Sequence, residues 1–192
     1  ATECSKDYAL TPDNFIKMLL IFTRVQEKIP VIIMGETGCG KTSLMRYLCS
    51  RVLDDKFHIF SIHAGVNQEQ IVEQMNSFIE EAVLLSEDDI KLWIFFDEFN
   101  TTSSIGLIKE IICERTMLGT PLPENMVFLG ACNPWRLKTQ QIIFDDSVGI
   151  KKDRLRESDN YNLLYTVHPL PETMIDYVWD YGHLEADAEK KY

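Results

Sequence analysis

The run Gly35-Glu36-Thr37-Gly38-Cys39-Gly40-Lys41-Thr42 constrains this chain more than any other eight residues in it. It fits the pattern GxxxxGK[ST], in which glycines let the backbone curl until several N–H groups converge on one anion. The run follows Val31-Ile32-Ile33-Met34, a short apolar and β-branched stretch that reads as a strand buried on both faces. A segment of helical character begins at about Lys41, so the positive end of a helix also points at the anion. Strand, glycine loop and helix in that order require a parallel α/β sheet with helices on both faces.

The rest of the chain agrees with that demand. Thr11-Pro12-Asp13 reads as a helix start, with Thr11 as N-cap and Pro12 in the first turn. Phe15, Met18, Leu19, Phe22 and Val25 follow at helical spacing as one apolar stripe. Helices are expected over 41–52, 68–85, 103–113 and 172–181, and strands over 57–62, 92–96, 126–131 and 162–167. Residues 138–160 read as polar and irregular, with basic residues at Lys151, Lys152, Arg154 and Arg156. The expected organisation is a helical lead-in over 1–29, an α/β core over 30–170 and a C-terminal helix within 171–192.

Two further strand ends carry polar residues where open α/β sheets bind ligands. Trp93-Ile94-Phe95-Phe96 delivers the adjacent acids Asp97 and Glu98. Asp97 suits holding Mg²⁺, and Glu98 suits polarising a water for attack on a terminal phosphate. Val127-Phe128-Leu129-Gly130-Ala131-Cys132 delivers Asn133, and Pro134 stops the strand. A neutral amide there can hydrogen-bond the attacking water or the γ-phosphate. In the loop itself, Lys41 reaches β- and γ-phosphates and the Thr42 hydroxyl reaches Mg²⁺. ATP and Mg²⁺ are the ligands this set expects, with adenine against apolar residues just before the first strand. A GTPase or a small-molecule kinase is disfavoured, since no NKxD base-reading motif appears and the Asp97-Glu98 pair favours a glutamate-activated water; a nucleotide-holding module without turnover is another reading of the same residues.

Composition excludes more than it selects. With 30 acidic and 19 basic side chains the formal charge is −11, which repels nucleic-acid backbones and anionic lipid. A local pocket overrides that global sign. No apolar run approaches the roughly 18 to 20 residues of a membrane span, and no signal peptide is visible. The five cysteines form no CxxC pair and no zinc-finger spacing with the histidines, so they read as reduced intracellular thiols in a cytoplasmic protein. Cys39 alone lies beside the expected anion site. A start at Ala1 reads as an excised piece of a longer chain.

These residues resemble the nucleotide-binding domain of AAA+ ATPases, the large subdomain of a P-loop NTPase. Asp97-Glu98-Phe99-Asn100 is similar to the DExN form of the second motif, and Gly130-Ala131-Cys132-Asn133-Pro134 to a sensor strand ending in Asn-Pro. Both spellings resemble the branch that holds midasin, dynein and the MoxR-type ATPases. Within it, Ile33 to Ser43, Ile105 to Ile111, Val167-His168-Pro169-Leu170-Pro171 and Val178-Trp179-Asp180-Tyr181-Gly182 look like the mysterin family of giant RING-finger ubiquitin ligases. The likeness runs from about Tyr8 to Gly182.

The resemblance implies an ATPase module whose loop, Gly35 to Ser43, holds ATP. Lys41 and Thr42 would contact phosphate and Mg²⁺, Asp97 would organise the metal, Glu98 would be the base and Asn133 the first sensor. It implies neighbouring AAA+ modules in the same chain, ubiquitin machinery reached through the parent, and association of the parent with lipid droplets. An arginine supplied across a module boundary is also implied. Arg154 and Arg156 are the candidates by position, Arg115 and Arg136 less so, and a plain solvated loop is the other reading of that cluster. Two departures stand out: Thr101 occupies a position where midasin-like relatives often carry Arg, and the helical lid with its second sensor is largely missing. The helix expected over 172–181 reads as the start of that lid.

Overall fold

A computed structural model describes residues 10–134 and 167–182. The order of elements follows directly from the apolar patterning. Helix α1 (Pro12–Gln26) leads into strand β1 (Val31–Met34), and α2 (Lys41–Tyr47) continues through a π-helical segment, Leu48–Leu53. Strand β2 (Lys56–Ser61), helix α3 (Gln68–Leu85) and strand β3 (Leu92–Asp97) follow. Helix α4 (Ile105–Lys109) likewise runs on into a π-helical segment, Glu110–Glu114. A small hairpin of β4 (Thr116–Met117) and β5 (Thr120–Pro121) precedes the central strand β6 (Met126–Cys132).

Among the described residues the other five strands form one parallel sheet in the order β2-β3-β6-β1-β7, where β7 is Val178–Asp180. Alternation along each strand divides the core between two faces. Val31, Ile33, Trp93, Phe95, Val127, Leu129 and Ala131 pack with α1 and α2, which contribute Met18, Ile21, Leu44 and Met45. Ile32, Ile94, Phe96 and Phe128 face the other way, onto Ile71, Met75 and Phe78 of α3 and Leu107, Ile108 and Ile111 of the α4 region. Every residue of β6 is buried, as expected of a parallel strand covered on both sides. Trp93 is wholly buried, and its indole N–H is satisfied by donating to Asp55 Oδ2 at 2.8 Å.

Local signals place the helix starts. The Thr11 hydroxyl accepts from Asn14 N at 3.2 Å. Asn67 and Gln70 cap α3 reciprocally, each side chain bonding the other's backbone N–H.

The sequence-based expectations need correction in two places, and one more of them falls almost wholly outside the described residues. Residues 172–181 are not one helix: a short helix, Glu172–Ile175, is followed by β7. Met174, Tyr177, Val178 and Tyr181 mimic a helical stripe, but the free edge of β1 needs a hydrogen-bonding partner, and Ile32, Ile33 and Met34 pair with Val178, Trp179 and Asp180. Among the described residues the last strand of the sheet is thus β7, inside the segment expected to begin a lid. The strand expected over 162–167 falls outside the described residues except for Val167, which is buried but not in a strand. Finally, α1 buries Met18 and Ile21 while leaving Phe15 and Leu19 exposed. That helix is apolar on more than one side, so periodicity alone does not choose its buried face.

Gly130 shows how tightly the sheet meets the α4 region. A Cβ at this position would sit 2.7 Å from Cε1 of Phe99 and 3.0 Å from Cδ1 of Ile112. Both neighbours belong to the core, so relieving the contact means displacing packed side chains. Gly130→Ala is expected to destabilise the fold by about 1–3 kcal/mol through overpacking. A fall in the urea midpoint at unchanged slope checks it.

Candidate functional site

The C-terminal ends of β1, β3 and β6 lie side by side, because β6 pairs with both of the others. The expected motifs therefore meet in space although they are far apart in sequence. Gly35 N donates to Cys132 O at 3.2 Å, so the loop leaves β1 still tied to β6. It then turns through Gly38 and Gly40, at φ 86° and 91°. These left-handed conformations favour glycine, and between them Cys39 N donates back to Glu36 O at 3.4 Å. Gly40 is the N-cap of α2, whose first residue is Lys41.

Lys41 is buried, 6% exposed, and its ammonium is held inside the loop. Nζ donates to Gly35 O at 2.7 Å and Glu36 O at 2.8 Å, with Cys39 Sγ at 3.7 Å. Next to it, the Thr42 hydroxyl donates to Asp97 Oδ2 at 2.8 Å. A hydroxyl and a carboxylate at this distance form a hard-oxygen donor pair of the type Mg²⁺ takes together with substrate phosphates. The fit is to a metal held partly by its nucleotide. Among the described residues no cluster of three or more His, Cys, Asp and Glu side chains would hold a metal alone.

Beyond Asp97 the chain reverses sharply. Glu98 adopts φ 54° and ψ 32°, a left-handed conformation that a non-glycine residue holds at a cost. The turn sends the two carboxylates apart: Asp97 faces Thr42, and Glu98 faces the end of β6. Asn133 Nδ2 donates to Glu98 Oε1 at 3.3 Å. The Thr37 hydroxyl, with one proton to give, reaches Asn133 Oδ1 at 3.3 Å and Glu98 Oε1 at 3.5 Å. Thr37, Glu98 and Asn133 therefore form one polar cluster at the mouth of the loop, beside the Thr42–Asp97 pair. Thr101, the departure from the midasin-like pattern, braces the turn: its hydroxyl reaches Glu98 O at 2.9 Å and Ile62 O at 3.1 Å.

Two contributors were not legible as site residues. Tyr181 follows β7, is 4% exposed, and donates its backbone N–H to Met34 O at 2.7 Å. A Cβ on Gly35 would meet Tyr181 Cβ at 3.2 Å, and one on Gly40 would meet the Tyr181 hydroxyl at 3.8 Å. The last strand thus underpins the loop from below. Asn100, read in the sequence only as a letter of a motif, is 2% exposed and bonds the backbone of Asn133. No periodicity announces either residue, since each acts through a partner distant in the chain.

The cysteines behave as packing groups. Among the described residues Cys39, Cys49 and Cys132 are buried, Cys113 is partly buried, and all four are free. Burial pushes the Cys132 thiol up to about 12, so it stays protonated beneath the site. Arg115 is spent on structure, donating to Pro123 O, Glu124 O and Met126 O. Arg136, Arg154 and Arg156 lie outside the described residues.

Residues 8–136 match the family model described as the RNF213 AAA domain. The chain is 39% identical to the E3 ubiquitin-protein ligase rnf213-beta of Danio rerio, over 96% of this chain and 4% of that protein. It is 37% identical to the E3 ubiquitin-protein ligase RNF213 of Homo sapiens, over 100% of this chain and 4% of that protein. It therefore spans only that small fraction of the length of these relatives. Among solved structures, a point mutant of RuvB from Thermotoga maritima aligns at 17% identity and a TM-score of 0.45, over 66% of this chain and 40% of that one.

Proposed function

Because this chain belongs to the RNF213 AAA domain family, as an ATP-binding AAA+ module, we propose that it hydrolyses ATP with Mg²⁺. The observation that carries the reading is the pairing at the sheet edge: Thr42 with Asp97, and Glu98 with Asn133 and Thr37. On this reading the edge combines the two things phosphoryl transfer needs, a site for a cation and a base beside it.

Free backbone amides of the loop and the Lys41 ammonium bind the β- and γ-phosphates. Thr42 and Asp97 would hold Mg²⁺, which when bound would neutralise charge on those phosphates. Glu98 accepts the proton of the attacking water, and Asn133 hydrogen-bonds that water or the γ-phosphate. Catalysis is then mainly positioning and electrostatic stabilisation. The overall charge of −11 does not oppose this, because the loop amides, Lys41 and the α2 N-terminus make a local positive field. Adenine is assigned to apolar residues ahead of β1, and the completing arginine to Arg154 or Arg156 acting on a neighbouring module.

The names of its relatives support reading the whole protein as a ubiquitin-protein ligase, and we place this module within it beside other AAA+ modules, in the cytoplasm. Among the described residues no helix is long and apolar enough to cross a membrane. Titrating the full chain with ATP and GTP, with and without Mg²⁺, tests the core of the proposal. Mg²⁺-dependent ATP binding that GTP competes for poorly, with phosphate release, is the expected result. Absence of Mg²⁺-dependent ATP binding overturns it, and binding without release reduces the module to a nucleotide-held support.

A further inference from the structure

We propose that Asn100 is the positioning residue of the γ-phosphate sensor: its buried carboxamide clamps the backbone of Asn133 and so aims the Asn133 side chain at Glu98. The inference rests on the ATPase reading above and assigns a task within that same site.

The geometry begins with a gap in the sheet. β3 pairs with β6 up to Phe96 and Gly130, and then β3 turns away at Glu98. β6 continues to Cys132, and Asn133 lies beyond the last pairing with β3. There the peptide groups of Asn133 face a space that β3 no longer fills. Asn100 fills it. Its Nδ2 donates to Asn133 O at 2.9 Å, and Asn133 N donates to its Oδ1 at 3.2 Å. Both backbone groups have fixed polarity, so the orientation of the amide is determined by its partners. One side chain reproduces the two hydrogen bonds of a strand neighbour.

The clamp is itself held. Asn100 sits in the short turn Phe99–Thr101, directly after Glu98. Its own carbonyl accepts from His168 N at 2.7 Å. Glu98 and Asn133 are thereby fixed to one rigid unit, through the turn on one side and through two hydrogen bonds on the other. Asn133 then reaches Glu98 Oε1 and receives Thr37. Neither Asp nor Ala does this as well. Asp keeps the acceptor but sets oxygen against oxygen at Asn133 O, and Ala leaves two buried backbone groups unpaired.

The test reads nucleotide discrimination, which a merely structural residue would not move selectively. Equilibrium affinities of the full chain for ATP and ADP with Mg²⁺ are measured for wild type, Asn100→Ala, Asn100→Asp, Asn133→Ala and the Asn100→Ala/Asn133→Ala double variant. Asn133→Ala is expected to narrow the ATP-over-ADP preference about tenfold, one hydrogen bond to a charged group. Asn100→Ala should narrow it similarly at unchanged ADP affinity, and the double variant should lose nothing more. Asn100→Asp, which keeps the side-chain volume, should show the same direction if Asn100→Ala does not fold. An unchanged ratio in the Asn100 variants, or equal losses for ATP and ADP, overturns the inference, as do additive losses in the double variant. A wild-type chain that binds neither nucleotide overturns the ATPase reading as well. Wild-type binding with an unchanged ratio overturns the role of Asn100 alone.

Discussion

Glu98→Gln is expected to leave ATP bound and to slow hydrolysis by about 10²–10⁴-fold, the usual share of a placed general base. This substitution removes basicity and little else. Gln matches Glu in shape, and its Oε1 can still accept from Asn133 Nδ2 and the Thr37 hydroxyl, which Glu98 Oε1 meets at 3.3 and 3.5 Å. The left-handed backbone at Glu98 is met equally by either side chain. The Thr42–Asp97 pair lies on the other carboxylate and is not touched. Single-turnover phosphate release, set beside equilibrium ATP binding, separates the two quantities. Hydrolysis at the wild-type rate would sink the role given to Glu98, and loss of binding would show that its charge organises the loop instead.

Lys41→Ala is expected to weaken ATP binding by roughly 10²–10³-fold, taking two charge-assisted hydrogen bonds to phosphate at about 1.5–3 kcal/mol each, less what water restores. The structure adds a second effect. Lys41 also bridges the loop's own carbonyls at Gly35 and Glu36, so truncation removes an internal tie from a loop whose other anchors are Cys132 O and Tyr181. Lys41→Met keeps the aliphatic stem in its buried slot and removes only the cation. If both variants lose affinity equally while their unfolding midpoints differ, binding depends on the charge and stability on the stem. Retained ATP affinity in Lys41→Met would refute the assignment of the ammonium to phosphate.

The family and the fold class were legible because they rest on short-range rules. A buried strand reads as an apolar β-branched run, and a phosphate loop needs glycines at fixed spacing before a helix, so β1, the loop and α2 are written in one stretch. The helix over 68–85 was legible to the residue, and its capping box marks the start. The hairpin at β4 and β5 was not, since two-residue strands have no period to detect; Leu118 and Gly119 at positive φ form its turn. The buried side of α1 was not legible either, because apolar residues surround that helix.

By itself, then, the sequence determined a parallel α/β sheet, a phosphate loop at Gly35 to Thr42, and polar residues waiting at the ends of two other strands. Each of these follows from interactions between near neighbours along the chain. Only the tertiary structure decided that Thr42 touches Asp97, that Asn133 touches Glu98, and that Asn100 and Tyr181 brace the site from behind. Strand order did that work: placing β6 between β3 and β1 brings the three ends together. The same cause turned residues 178–180 into a strand, because an open edge of β1 leaves backbone groups that must be paired, and no local pattern records that need.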